Sequence, residues 1–161
     1  MGYEFNADEI FIMAEQLERN GAKFYRDSAK AIEDTDSRKF LNDLAEMEVE
    51  HEKTFKSLRA EITEKEKEST VFDPEGEAAL YLKSLADSRV FFEKDMDVTS
   101  FKGILKAAIM AEKDSIVFYL GMKEAVPENL GKARIEKIIK EEMGHIKFLS
   151  SKLVSLIKKR V

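Results

Sequence analysis

The sequence predicts an all-α protein, a four-helix bundle built from two antiparallel helical hairpins joined by a long crossover that contains a short helix. Three observations predict it. Apolar residues recur at three-four spacing along four long segments, strand signals are essentially absent, and of the three links between segments two are short and the middle one is long. With 161 residues, the chain reads as one domain over 1–161, long enough to bury a real core.

The first helix is expected over about residues 6–32, where Ile10, Ala14, Leu17, Gly21, Phe24 and Ser28 mark one buried face and Asn6 with Glu9 resembles a capping box. The second, over about 36–64, starts near Asp36, runs through Phe40, Leu41, Leu44, Met47, His51, Phe55 and Leu58, and dissolves into the charged stretch Glu64 to Glu68. The third spans about 99–125 and is ended by Pro127; the fourth, over about 129–158, carries Ile135, Ile138, Ile139, His145, Phe148, Leu149 and Leu153. Links of about four residues make each pair an antiparallel hairpin. The connector over about 66–98 holds Asp73-Pro74 as a helix start and a short apolar helix around Leu80 to Leu85.

Composition narrows the chemistry. A formal charge of −5, with both signs interspersed, argues against nucleic acid as a partner. The terminal Lys158-Lys159-Arg160 reads as a complement to a helix C-terminal dipole. Apolar runs are only a few residues long and the start, Met1 to Asn6, has no basic region, so neither a membrane span nor a signal peptide is expected and the cytoplasm is the expected location. The chain has no cysteine, which excludes disulfides, thiolate catalysis and rubredoxin-type or iron–sulfur centres within it. A metal here must be held by oxygen and imidazole.

An internal repeat points to such a metal. Shifted by 94 positions, Glu18 falls on Glu112, Tyr25 on Tyr119, Glu48 on Glu142 and His51 on His145, while Ala14 falls on Ala108, Leu41 on Ile135 and Leu44 on Ile138. Each of the 2 histidines follows a glutamate by three residues, in Glu48-Val49-Glu50-His51 and Glu142-Met143-Gly144-His145. Positions i and i+3 share a helix face, so both side chains reach one ion. On their own helices, Glu142 has Ile135, Ile138, Ile139, Ile146 and Leu149 as neighbours, Glu112 has Leu105, Ala108, Ile109 and Ile116, and Glu18 has Phe11, Ala14, Gly21 and Ala22. Glu50 is the control: its neighbours are nearly all polar, and it is expected to face water.

Carboxylates on core-facing stripes need compensating charge, and no lysine or arginine occupies the matching core positions. Two divalent cations balance the carboxylates of Glu18, Glu48, Glu112 and Glu142, and two neutral imidazoles complete the set. Oxygen-rich ligation with one imidazole per ion suits Fe(II)/Fe(III), or Mn or a mixed pair. Glu48 and Glu142 are expected to bridge or share the ions, with Glu18 and Glu112 as terminal ligands.

These residues resemble the ferritin-like di-iron carboxylate superfamily, and within it the di-iron domain of rubrerythrin, whose ligand pattern is a Glu from each of two helices and a Glu-x-x-His from each of the other two. The resemblance covers roughly 120 residues of the two hairpins. It implies a ferritin-like bundle, two bound Fe ions, reduction of peroxide or O₂ with electrons from an external carrier such as a rubredoxin-like protein, and a homodimer. Two departures stand out: Ser115 replaces a further glutamate usual in rubrerythrins, and the four-cysteine rubredoxin domain is absent from this sequence. Alternatives are a ferroxidase or iron-storage protein, and a metal-free structural or binding bundle.

Other residues receive simpler readings. Tyr25 and Tyr119, two turns after Glu18 and Glu112, are placed to hydrogen-bond a ligand carboxylate on a facing helix, or else serve as core aromatics. Glu15 reads as a solvated glutamate rather than a seventh ligand or a guard of iron access. Glu141, with Arg134 and Lys137 as neighbours, reads as a surface ion pair, and Gly144 as a position where a close helix or metal leaves no room for a side chain. No group orienting either histidine is identifiable.

Overall fold

The computed structural model describes residues 7–62, 80–82, 84–85, 99–126 and 131–159. Four long helices dominate: α1 Ala7–Lys30, α2 Thr35–Ala60, α3 Phe101–Ala125 and α4 Lys132–Lys158. Residues 80–82 and 84–85 of the connector are also helical. Asn6, Asp73-Pro74, the stretch 64–68, Pro127 and Asn129 lie outside the described residues.

Local chemistry sets the helix ends. Asp8 and Glu9 in the first turn of α1 and Lys30 in its last complement the helix dipole. Asp34, not Asp36, opens α2: its carboxylate accepts from Ser37 N–H at 2.9 Å. The helix stops at Ala60, short of the charged stretch. Ser100 caps α3 by accepting from Gly103 N–H at 3.0 Å. Past its end, Val126 is extended, the backbone region favoured before a proline. Gly131 opens α4 with φ 91°, in the left-handed region, and a Cβ there would collide with the Leu58 side chain.

Cross-helix pairs fix the directions. Glu15–Arg59, Arg19–Glu52 and Arg26–Glu46 run in opposite order along α1 and α2. Tyr25–Glu112 and Tyr119–Glu18 do the same for α1 and α3, and Glu61–Arg134 with His51–Glu142 for the α2 side and α4. α2 and α3 therefore point the same way. The chain leaving α2 must return along the bundle, about 39 Å for its 26 residues at ~1.5 Å each, before α3 begins. That is why a long crossover is required. Where it is described, it lies on α3: Leu82 is buried in the core, and the Tyr81 hydroxyl donates to the Val117 carbonyl at 3.4 Å. A Cβ on Gly121 would stand 2.5 Å from Tyr81 Cε1, so glycine is what allows this approach.

The core has two apolar layers. One joins Phe11, Phe55, Leu58, Phe118, Tyr119, Met122 and Ile135 at the start of α1; the other joins Tyr25, Leu41, Leu44, Ile104, Leu105 and Leu149 at its end. Burying these side chains contributes about 1.5–3 kcal/mol each before entropy is counted. Between the layers every helix contributes a buried acidic residue. Among the described residues no helix is long and apolar enough to cross a membrane.

Candidate metal centre

Glu18 comes from α1, Glu48 and His51 from α2, Glu112 from α3, Glu142 and His145 from α4, and all six are at most 4% exposed. The structure brings them into one chamber. Ligand atoms of Glu18, Glu48, His51 and Glu142 lie within 4.8 Å of one another, and so do those of Glu48, Glu112, Glu142 and His145. Glu48 and Glu142 belong to both sets. Each set is three carboxylates and one imidazole.

The imidazoles face the carboxylates through Nδ1. His51 Nδ1 stands 3.1 Å from Glu142 Oε1, 3.4 Å from Glu18 Oε2 and 3.9 Å from Glu48 Oε2. His145 Nδ1 stands 2.8 Å from Glu142 Oε2 and 3.3 Å from both Glu48 Oε1 and Glu112 Oε1. The two rings lie 5.7 Å apart, nearly parallel. Two of these contacts cross between hairpins, His51 reaching Glu142 and His145 reaching Glu48. Helical spacing on one element cannot reveal them.

Tyr25 donates to Glu112 Oε1 at 2.6 Å and Tyr119 to Glu18 Oε1 at 2.5 Å. Both phenols are fully buried, and burial, followed by the nearby carboxylates, pushes their ionisation well above the usual tyrosine range, so they remain donors. Each pins one carboxylate oxygen: Glu18 keeps Oε2 towards His51, whereas in Glu112 the pinned Oε1 is also the oxygen 3.3 Å from His145 Nδ1.

The electrostatics show the cost of this arrangement. Burial, then the charges of Glu48 and Glu142, raises the Glu18 carboxyl well above its ordinary value, and burial with Glu142 and Glu48 does the same to Glu112. For Glu142 burial pulls upward, but the two histidines override it and hold the group far below the carboxylate range. Burial would lower His145, yet the close Glu112, Glu142 and Glu48 carboxylates win and it is pushed up to about 12. His51 is raised for the same reason, chiefly by Glu142 against burial. The cluster thus balances itself only by holding extra protons.

Whether metal ions suit the chamber is tested by its unpartnered atoms. Glu18 Oε2, Glu48 Oε1, Glu142 Oε2 and both ring nitrogens of His145 are buried without a completed hydrogen bond. Native interiors rarely leave such atoms unpaired. Here they are concentrated among lone-pair donors aimed at one space, which is what cations need and what a packed polar core avoids. The donor set fits two hard divalent ions.

Three readings of the sequence require correction. Glu141 is more than a surface ion pair: its Oε2 accepts from His51 Nε2 at 2.7 Å, whereas Lys137 stands 3.9 Å from its other oxygen. Glu141 lies about 100° around α4 from Glu142, on the side that meets α2. That offset was the available signal, outweighed by its polar neighbours on α4. Glu15 is not solvated: it is 3% exposed and paired with Arg59 Nε at 3.0 Å, because an arginine two turns beyond His51 reaches across from α2. It belongs to neither ligand set. Gly144 is not crowded, for a Cβ there meets nothing within 4 Å. The glycine facing the chamber is Gly21, where a Cβ would make ordinary 3.5 Å contact with Glu48. Glu50 points outward, as its neighbours indicate, and pairs with Lys53.

No protein-family model and no curated protein sequence matches the chain. Among solved structures, it is similar to a Thermotoga maritima protein classed as a ferritin-like diiron-carboxylate protein, with a TM-score of 0.68, 24% identity, and coverage of 92% of this chain and 94% of that one. The fold is therefore that of a ferritin-like helical bundle, with a buried Glu/His cluster at its centre capable of holding metal.

Proposed function

We propose that this protein is a di-iron oxidoreductase of rubrerythrin type, reducing peroxide or O₂ with electrons from an external carrier. The observation that carries the reading is the pair of four-residue ligand sets sharing Glu48 and Glu142. Carboxylates common to both sets could hold two ions side by side, and a pair of redox-active ions would supply the two electrons that the reduction needs. Glu18 and His51 would complete one position, Glu112 and His145 the other. Bound iron supplies a reversible one-electron change at each ion, so that H₂O₂ with two electrons and two protons yields two waters.

The chain's own residues then have definite tasks. The four carboxylates neutralise the cations, and the imidazoles bind through Nδ1 without adding charge. Tyr25 and Tyr119 fix Glu112 and Glu18 through Oε1 of each, which sets the angle at which these carboxylates face the chamber. The apolar layers above and below exclude bulk water and strengthen every charge interaction inside. No cysteine is present to form an electron-transfer centre in this chain, so a rubredoxin-like donor is proposed as partner.

One observation favours a second reading, ferroxidase or iron handling. Ser115, buried one turn beyond Glu112, supplies no further carboxylate where rubrerythrins usually have one. The test begins with metal analysis of protein made in iron-rich medium, beside a Glu142→Ala/His145→Ala variant. Equal metal in both would overturn the site. Rapid-mixing spectra of the Fe(II) protein then decide: faster oxidation by H₂O₂ than by O₂, with a discrete dimeric size, supports the reductase, whereas preference for O₂ with iron retained in a large shell supports storage.

A further inference from the structure

The internal repeat makes the two halves of the chamber look equivalent, but their surroundings differ behind the imidazoles. His51 Nε2 is engaged by Glu141 at 2.7 Å. With Nε2 donating to Glu141, Nδ1 is the nitrogen that faces Glu142, Glu18 and Glu48. The ring angle is set before any ion arrives, and an incoming ion would take the place of a proton on Nδ1. Among the described residues His145 has no such support: its Nε2 is buried without a hydrogen-bond partner.

The repeat explains why. The shift of 94 positions that carries His51 onto His145 carries Met47 onto Glu141. Applied to the His51–Glu141 contact, the approximate two-fold relation of the hairpins places position 47 of α2 opposite His145 on α4. A methionine stands there, 40% exposed, with only a thioether to offer as a weak acceptor. Among the described residues, one half of the site has a carboxylate behind its imidazole and the other has none.

We infer that Glu141 is a positioning residue that makes the two metal positions unequal, so that the His51 position binds a divalent ion more tightly and fills first. The inference rests on the di-metal reading of the site. Partners behind a ligating histidine are worth about 10–100-fold in metal affinity, and the separation between the two steps is expected in that range. Unequal retention means one ion stays resident while the other is the one gained and lost.

The experiment is anaerobic calorimetric titration of the metal-free, full-length protein with Fe(II), repeated with Co(II) so that visible bands report coordination at one and at two equivalents. The natural protein should show two separated steps. Glu141→Gln, which keeps the shape and removes the charge, should weaken the tighter step by about 10-fold or more and leave the weaker one in place; Glu141→Ala should do at least as much. Met47→Glu should strengthen the weaker step and close the gap. Met47→Gln separates a hydrogen bond from simple attraction by added charge, and Glu50→Gln, an outward carboxylate beside the same motif, should change nothing. Co(II) bands at one equivalent report the His51 position in the natural protein; they should change with Glu141→Gln, and with Met47→Glu they should become a mixture of the two positions. Two equal steps in the natural protein, or a tighter step indifferent to both Glu141 variants, overturns the inequality while leaving a two-metal site standing. Absence of any binding overturns the di-metal reading itself.

Discussion

Glu18→Gln combined with Glu112→Gln should make the metal-free protein more stable while abolishing its ability to hold two ions. In the metal-free chain both carboxyls are buried, and burial with the charges of Glu48 and Glu142 raises them far above the ordinary 4.5. The unfolded chain ionises near 4.5, so folding above that pH must either bury charge or take up protons at these sites. By linkage this penalty is absent below about pH 4.5 and grows as pH rises towards the folded-state values. Glutamine removes the penalty with little loss of bonding. Its Oε1 still accepts from Tyr119 or Tyr25, and its amide can donate to Glu48 beside position 18 or to Glu142 beside position 112. Exchange of a buried ionic cluster for uncharged side chains stabilises by about 1–4 kcal/mol. At ~2–4 °C per kcal/mol for a chain of this size, the melting temperature should rise by at least about 2 °C. Thermal melts in chelator at pH 4, 6 and 8 measure this, with the gain vanishing at pH 4 and largest at pH 8. A variant that melts below the natural protein at pH 8 would show that these carboxylates serve the fold, and the argument from buried charge would fail.

Other outcomes follow from single contacts. Tyr119→Phe and Tyr25→Phe each remove a buried donor to a carboxylate, worth about 1.5–3 kcal/mol, and should lower the melting temperature of the metal-loaded protein by several degrees; an unchanged melt refutes the anchoring role. His145, pushed up to about 12, holds a proton at neutral pH, and Glu18 and Glu112 are raised well above their ordinary value, so bound cations must displace protons from the cluster. Metal affinity should therefore increase with pH from 6 to 8 with proton release, detectable by calorimetry in buffers of different ionisation enthalpy; a flat profile opposes it. Gly131→Ala should cost about 1–2 kcal/mol for the left-handed backbone, and more for the Leu58 collision, whereas Gly144→Ala, in open space within a helix, should stabilise by up to about 1 kcal/mol. Denaturant melts of the two variants should move in opposite directions.

The contrast between Glu142 and Glu141 shows what a sequence can convey about such a site. Glu142 is surrounded on its own helix by isoleucines, and local periodicity alone turns it inward. Glu141, one residue away, has Arg134 and Lys137 as helical neighbours, and the same reasoning turns it outward. The structure gives it both aspects: its side chain is 38% exposed and still reaches His51. Its decisive partner comes from another helix, whose rotation and height depend on packing among all four. Glu15 was obscured in the same way, since Arg59 is distant in sequence and its approach depends on how α2 lies against α1. Helix identity, the two hairpins and the inward faces rest on short-range spacing and are legible. Pairings across the bundle, such as Tyr25 with Glu112, require the tertiary arrangement.

The cross-hairpin pairings also explain why both copies of the repeat are needed. Within a hairpin the helices pack closely, α1 on α2 and α3 on α4, while contacts between hairpins are sparser. One hairpin alone offers Glu18, Glu48 and His51, two carboxylates and one imidazole, with Oε1 of Glu18 lacking the tyrosine that fixes it. That tyrosine is Tyr119, from the other hairpin, and Tyr25 returns the service to Glu112. Each ligand set of four likewise draws on both hairpins, because Glu48 and Glu142 serve both sets. Bound cations would thus tie together the faces of the bundle that hold each other least closely, at the level where the apolar layers leave a polar gap. A core built only for stability would fill that level with the leucine and isoleucine found above and below it. Retaining six ionisable groups there, with unpaired lone pairs facing one another, sacrifices metal-free stability for a chamber whose two halves only the folded bundle can bring together.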